Sequence, residues 1–346
     1  MDAFTHSLAG VVIARAAFEP SLGKWGVITG VAVALLPDID FLLKFVNKQL
    51  YIKYHRSFAN SIFLIIPLSL FWGCLFNWFS GLHNFPAFAV LTFTVLCSHV
   101  FFDTLNPFGT MIFAPFSNYR FSWDLVYIVD LIFTSLLLFP LIASYIWPDY
   151  CRFICLAGLI CVFLYIGFRF INHTRARQHN QRYIETNQLK AANFASLPTH
   201  FSPFRWHNLI ETKDYIYKSG VNTSKNRHSR HGDNGDNNRN EDYKIWPKIS
   251  YQVPLENSTW IQKALELPEV KTYLWFARFP VMKYHGFVQN THRIAFYDHR
   301  FDGYKGKLPF VYVVDFYPDG QLSSQYFHRN WDLRRLAKDL RKSGVQ

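Results

Sequence analysis

The chain has 346 residues, half of them hydrophobic and 35 of them phenylalanine, with a formal net charge of +12 and a mean hydropathy near zero. That average conceals two unlike halves: residues 1–171 carry nine Lys+Arg against eight Asp+Glu, and residues 172–346 carry the remaining 27 against 16. An apolar, nearly neutral half joined to a basic one excludes an ordinary soluble globule. It implies an integral membrane domain beside either a domain suited to an anionic surface, lipid headgroups or nucleic acid, or a merely soluble basic domain.

In chain order, two short apolar stretches come first, at residues 7–18 and 25–36. Each is short for a span, so together they suggest a hairpin of short or tilted helices, turning near Pro20 and Gly23. Four longer segments follow at 61–79, 85–103, 125–147 and 151–171, each close to the ~20 apolar residues that cross a bilayer. The five cysteines, Cys74, Cys97, Cys151, Cys155 and Cys161, all lie in this half without a CxxC pair, and they read as buried free thiols. The opening MDAFTHSLAG lacks a basic n-region, so no cleavable signal peptide is expected. Trp72, Trp78 and Trp147, near helix ends or within spans, fit an ordinary interfacial aromatic belt.

Loop charges orient these segments. With six crossings, Lys44, Lys48, Lys53, Arg56, Arg120, Arg175, Arg177 and Arg182 share one side with both termini, while Lys24 and Arg152 lie opposite. The excess of basic residues places that side, and the soluble domain, in the cytoplasm.

The expected architecture is an α-helical polytopic membrane domain over 1–171, a polar connecting helix or linker over 172–197, and a small basic α+β domain over 198–346. Within the last, strand-like runs occupy 204–217, 284–297 and 310–317, with short helices near 258–265 and 332–342. Residues 221–242, rich in Asn, Asp, Arg and His, read as a disordered insert whose His228 and His231 are at most weak metal binders.

The chemistry lies in the apolar half, where ionisable residues are expensive and therefore informative. His6 opens the first short helix, Asp38 and Asp40 follow Pro37 at the end of the second, His55 precedes the third, and His99 and Asp103 close the fourth. The expected topology brings all six to one end of the bundle. His99 and Asp103, four apart, share a helix face. A lone Asp at a helix end is usually a cap and a lone interfacial His is usually just hydrogen-bonded, but six converging on one place favour a site. Imidazoles and carboxylates are the usual ligands of Zn²⁺, Mn²⁺ and Fe²⁺. Arg56, beside them, suits an anionic group such as phosphate. Asp130 belongs either to a polar pathway or to a pair with Arg120 or a neighbouring hydroxyl.

The motifs DAFTHSLAG, LLPDID, YHRSFANS and SHVFFDTLNPFGT, with the later APFS, resemble the bacterial membrane-bound metal-dependent hydrolases of the YdjM/YbcI type. PFRWHNLIETKDYIY, WFARFP and DHRF are similar to the soluble region of that family's longer members. The resemblance implies an inner-membrane hydrolase with the His/Asp motifs as metal ligands. One departure stands out. Where the family's third motif reads HRGxTHS, this chain has Ala59 and Asn60. Either that histidine is not an essential ligand, or Asn60 supplies an oxygen, or activity is lost.

The sequence therefore points to a divalent cation, zinc foremost, held by His6, Asp38, Asp40, His55, His99 and Asp103 at the cytoplasmic membrane face. Asp38 and Asp40 alternatively serve as general base. The reaction expected is hydrolysis of an ester or phosphoester, with a membrane lipid suggested by the headgroup-level location. Two rivals are a membrane scaffold or regulator that has lost catalysis, and a proton-coupled transporter. The clustering at one face speaks against the transporter.

Overall fold

The structure is a computed structural model that describes residues 1–224, 259–301, 307–308, 310–328 and 331–332. It has a helical N-terminal region followed by a small β-sheet domain.

α1 (Ala3–Ile13) is capped by Asp2, whose carboxylate accepts from the Thr5 amide at 3.0 Å. A π-helical turn, Ala14–Phe18, leads into α2 (Glu19–Leu35). Gly23 has φ +50°, outside the helical range, and the chain reverses there, so α1 and α2 pack as the expected hairpin. The contact is close because Gly10 and Gly30 face each other: a Cβ on either would strike the other's carbonyl. A 3₁₀ turn (Pro37–Leu42), α3 (Leu43–Val46) and α4 (Lys48–Tyr54) then run to α5 (Ile62–Ser80). α5 starts at the Ser61 cap and stops at Gly81 in the left-handed conformation. α6 (Phe85–Thr104), α7 (Leu131–Ile146) and α8 (Cys151–Thr186) complete the bundle.

Among the described residues, α5, α6 and α8 are long and apolar enough to cross a membrane; α7 is apolar over 16 residues. α7 begins six residues later than hydropathy suggests. The amides of Leu125 and Val126 donate to Leu105 O, which holds 125–130 as irregular chain, and Asp130 caps the helix through Ile132 N and Phe133 N. Trp123 and Asp124 accordingly precede the helix. Cys74 and Cys161 are exposed on the bundle's outer face, not buried as expected, whereas Cys151 and Cys155 are buried.

α8 spans 36 residues, roughly 54 Å of helix, nearly twice a bilayer core. Its polar end is thus the connecting segment, but that segment stops at Thr186. Part of the expected linker is instead β1 (Ala191–Pro198), the outer strand of a sheet with β2 (Arg205–Thr212) and β3 (Ile216–Asn222). The run 204–217 is therefore two paired strands, and Val221, placed in the disordered insert, is buried opposite Trp206. α9 (Thr259–Glu266) occupies the expected short helix, and α10 (Pro268–Phe276) follows it. β4 (Pro280–Val288), β5 (Thr291–Asp298), β6 (Lys307–Leu308), β7 (Val311–Phe316), β8 (Leu322–His328) and β9 (Trp331–Asp332) follow in turn. They form an antiparallel sheet in the order β4-β5-β7-β8 and a short β6-β9 pair. The run 284–297 is again a hairpin, turning on Gln289 and Asn290, both at positive φ. The remainder of the expected insert, 225–242 with His228 and His231, and most of the expected helix at 332–342 lie outside the described residues; Asp332 itself ends β9.

The β-sheet domain is docked on the bundle. Asn208 and Asn180 side chains bridge α8 to the first sheet, the former donating to Ala176 O at 3.1 Å. Thr223 donates to Asn172 at 2.7 Å. Phe108, in the loop after α6, packs with Tyr51, Ile52 and Phe276 in a cluster that joins the two regions. The cluster meets the bundle at the end where His6, His55 and Asp103 lie.

Candidate metal centre

Asp103, fully buried, is the hub of this end. The amino group of Met1 pairs with it, His6 Nε2 lies 3.1 Å away, and Arg56 Nη2 lies 3.0 Å away. Asn60 Nδ2 donates to its second oxygen at 3.0 Å. His6 and His99 stack with ring centroids 3.8 Å apart. The hairpin turn of α1 and α2 is what brings Asp38 back to α6: His99 Nε2 stands 3.8 Å from Asp38 Oδ1 and 3.5 Å from Asp103 Oδ2.

The orientation of the His99 ring follows from its surroundings. Its Nδ1 is 2.8 Å from Ala34 O, and a carbonyl can only accept, so Nδ1 donates. Nε2 is thereby turned toward Asp38 and Asp103, where it is buried and makes no hydrogen bond. Holding one ring nitrogen to a carbonyl while the other is left bare is how metal-ligating histidines are oriented.

Among the described residues, His6, Asp38 and His99 each offer one ligand atom, and these atoms lie within 4.8 Å of one another. Two ligands bound at ~2.1 Å on one tetrahedral ion would be roughly 3.4 Å apart. The His99–Asp38 separation of 3.8 Å is near that spacing. The donor set, two imidazoles and a carboxylate with a buried nitrogen that makes no hydrogen bond, fits a divalent cation.

Asp103, another expected ligand, lies at the group but is taken up by Met1, Arg56, Asn60 and His6, and the remaining two fall elsewhere. His55 Nδ1 is 2.6 Å from Asp40 Oδ1, and Asp40 Oδ2 accepts from Arg56 N at 2.9 Å, so Asp40 and His55 form a pair of their own. Burial lowers the His55 pKa and outweighs the opposing Asp40 hydrogen bond. Arg56 is turned inward. Besides Asp103, it donates to Asn106 Oδ1 at 2.8 Å and to Met1 O at 3.2 Å, leaving only Nε without a partner. Its φ of +57° is an unusual conformation for a non-glycine residue, fixed by the bonds on either side. Asn60 meets Asp103 through its amide nitrogen, while its oxygen is buried without a partner. Asp130 takes the Tyr165 hydroxyl at 3.0 Å; Arg120 donates to the carbonyls of Gly109, Ile52 and His55 instead.

Sequence reasoning missed Asn106 and Phe108, which sit in the quoted NPFGT motif without an assigned role. Asn106 takes Arg56 and ties back to Asp103 O, and Phe108 lies under the Arg56 guanidinium at 5.2 Å and against the His55 ring. The downstream motifs are the other half of this junction. Arg300 of DHRF donates to Pro107 O at 3.0 Å and to Phe276 O of WFARFP at 2.7 Å, and Arg278 pairs with Asp124 at 2.8 Å.

These features define a helical membrane protein with a buried His/Asp/Arg cluster at one end, covered there by a β-sheet domain. The chain belongs to the YdjM inner membrane protein family, which matches residues 1–176, the portion that holds every residue of the cluster. Over 129 residues it is 31% identical to the uncharacterized protein YfhP of Bacillus subtilis (strain 168), covering 34% of this chain and 38% of that protein, well under half its length. No solved structure matches the chain.

Proposed function

We propose that this inner-membrane protein is a metal-dependent hydrolase acting on an ester or phosphoester at the cytoplasmic face. The observation that carries the reading is the convergence of His99 Nε2, buried and without a hydrogen bond, on His6 and Asp38. His6, Asp38 and His99 would hold the cation, with zinc the best match to two imidazoles and a carboxylate. Such an ion, when bound, lowers the pKa of a coordinated water to about 7 and polarises the substrate oxygen. Asp103 fixes the His6 ring, and Arg56 and Asn60 hold Asp103 in turn. The Asp40 carboxylate accepts from His55 Nδ1, which leaves Nε2 of a neutral imidazole to take or return a proton. In this reading Asn60 is a support of Asp103, so its presence in place of histidine does not remove a ligand.

The loop charges support the cytoplasmic placement of the site and of the domain docked on it. Reporter fusions at Gly81 and at Asn187, beyond the end of α8, should report opposite sides, with Asn187 cytoplasmic; a periplasmic signal from Asn187 would reverse the orientation. The hydrolase reading itself is tested by metal analysis of the detergent-purified chain. Bound transition metal in the wild type that is lost in His99→Ala supports it, and a wild type free of metal after growth with added zinc, manganese and iron refutes it.

A further inference from the structure

Between the N-terminal hairpin and α5 the chain runs through the Pro37–Leu42 turn, α3 and α4, none long enough to cross a bilayer. One side of this segment is occupied, with Tyr51 and Ile52 buried against Phe108 and Phe276. The other side is apolar and bare: Ile39, Leu42, Phe45 and Val46 are 61%, 58%, 77% and 78% exposed. Lys44 lies among them and Lys53 beyond them; Lys44 Nζ lies 4.8 Å from the centre of the Phe41 ring and Lys53 Nζ 5.4 Å from that of Tyr54, whereas Lys48 donates to Phe327 O of the β-sheet domain at 3.5 Å. A contiguous bare patch of this kind marks an interaction surface. Apolar side chains flanked by lysines match the boundary between acyl chains and anionic headgroups, where the stem packs and the ammonium stays wet. The segment is also continuous with α2 and carries Asp38 and Asp40, so the patch and the candidate centre share one wall.

We propose that residues 37–54 form a lip lying in the headgroup layer, with Ile39, Leu42, Phe45 and Val46 in lipid, and that this lip admits an anionic phospholipid sideways to the His6/Asp38/His99 group. The position of the lip stands on the surface alone; the choice of a lipid substrate rests on the hydrolase reading above.

The test uses the wild-type chain in nanodiscs of mixed zwitterionic and anionic phospholipid. Either phospholipid carries a diazirine on the acyl chain near the headgroup, and a parallel sample receives a water-soluble diazirine. Adducts are mapped by peptide mass spectrometry. Residues 39–46 should label from the lipid probes roughly tenfold more than from the soluble one, as expected for side chains at the acyl boundary. Tyr317 and Leu322, exposed on the β7–β8 hairpin, should show the reverse. Replacing Lys44 and Lys53 together by glutamine should lower the anionic-over-zwitterionic preference at the lip about tenfold or more, without changing lipid adducts on α5. Labelling of 39–46 mainly from water overturns the proposal, as does labelling by neither probe because a second copy covers the patch. Chelation should leave the labelling unchanged. A wild-type protein that holds no metal yet labels from lipid would uphold the lip and overturn the lipid substrate together with the hydrolase reading.

Discussion

The site end of the bundle and the β-sheet domain docked on it each bury a carboxylate beside an arginine, and they use it in opposite ways. Asp298 is closed off: it accepts from Arg278 N, Phe279 N, Arg300 N and Arg300 Nε, and Arg300 spends its remaining nitrogens on Pro107 O and Phe276 O. Asp103 is crowded with donors as well, but the His99 nitrogen facing it and Asp38 is left without a hydrogen bond. A saturated buried ion pair is a latch, whereas a buried polar atom without a hydrogen bond costs stability unless something binds there. The comparison separates the charges that hold the two regions together from those that are available for chemistry.

The largest effect expected is at the latch. Asp298→Ala leaves the Arg300 charge buried and unpaired and should destabilise the full chain by about 3–5 kcal/mol in thermal unfolding. A loss under ~1 kcal/mol would show that Arg300 does not depend on it. Phe108→Ala empties the junction between Phe276 and the Arg56/His55 wall and should cost about 3 kcal/mol. It should also expose residues 187–190 to protease; an unchanged digestion pattern would mean that the domain docks without Phe108.

Acid should weaken the β-sheet domain through His285. Burial, with Lys283 and Arg293 nearby, pushes His285 down to about 3, against an ordinary value near 6.5. The folded state keeps this imidazole neutral while the unfolded chain protonates it. Stability is therefore full above pH ~6.5 and falls by up to ~1.4 kcal/mol per unit between that pH and about 3. His285→Gln should flatten that slope in unfolding followed by tryptophan fluorescence; an identical slope would assign it to other groups. The smallest effect belongs to Asp124→Ala. Its partner Arg278 is 31% exposed, so the pair should be worth about 1 kcal/mol or less.

The sequence revealed the helical half better than the sheet half, for physical reasons. Ile62–Ser80 and Phe85–Thr104 lie within a residue of the expected spans because Ser61, Gly81 and Asn84 mark their ends chemically. The start of α7 was hidden, because Leu125–Val129 is as apolar as a helix and only its backbone bonds to Leu105 make it irregular. The β2–β3 and β4–β5 hairpins read as single strands because their turns, through Lys213–Tyr215 and Gln289–Asn290, contain neither glycine nor proline. At the site, the spacing of His99 and Asp103 and the hairpin carrying His6 and Asp38 were legible as a convergence. The private pairing of Asp40 with His55, the inward turn of Arg56 and the bridging of Phe108 were not, since each depends on contacts between segments far apart in sequence.

In the proposed centre, His6, Asp38 and His99 hold one metal ion while Asp40 and His55 stand apart from it. Elemental analysis of the wild type and of single His6→Ala, Asp38→Ala, His99→Ala and His55→Ala variants tests it directly, with His173→Ala as a control buried against Trp206 away from the group. About one ion per wild-type chain is expected, with strong loss in the first three variants and retention in His55→Ala and His173→Ala. Equal loss in His55→Ala would contradict the separation of the two pairs, and a wild type without metal would contradict the centre altogether.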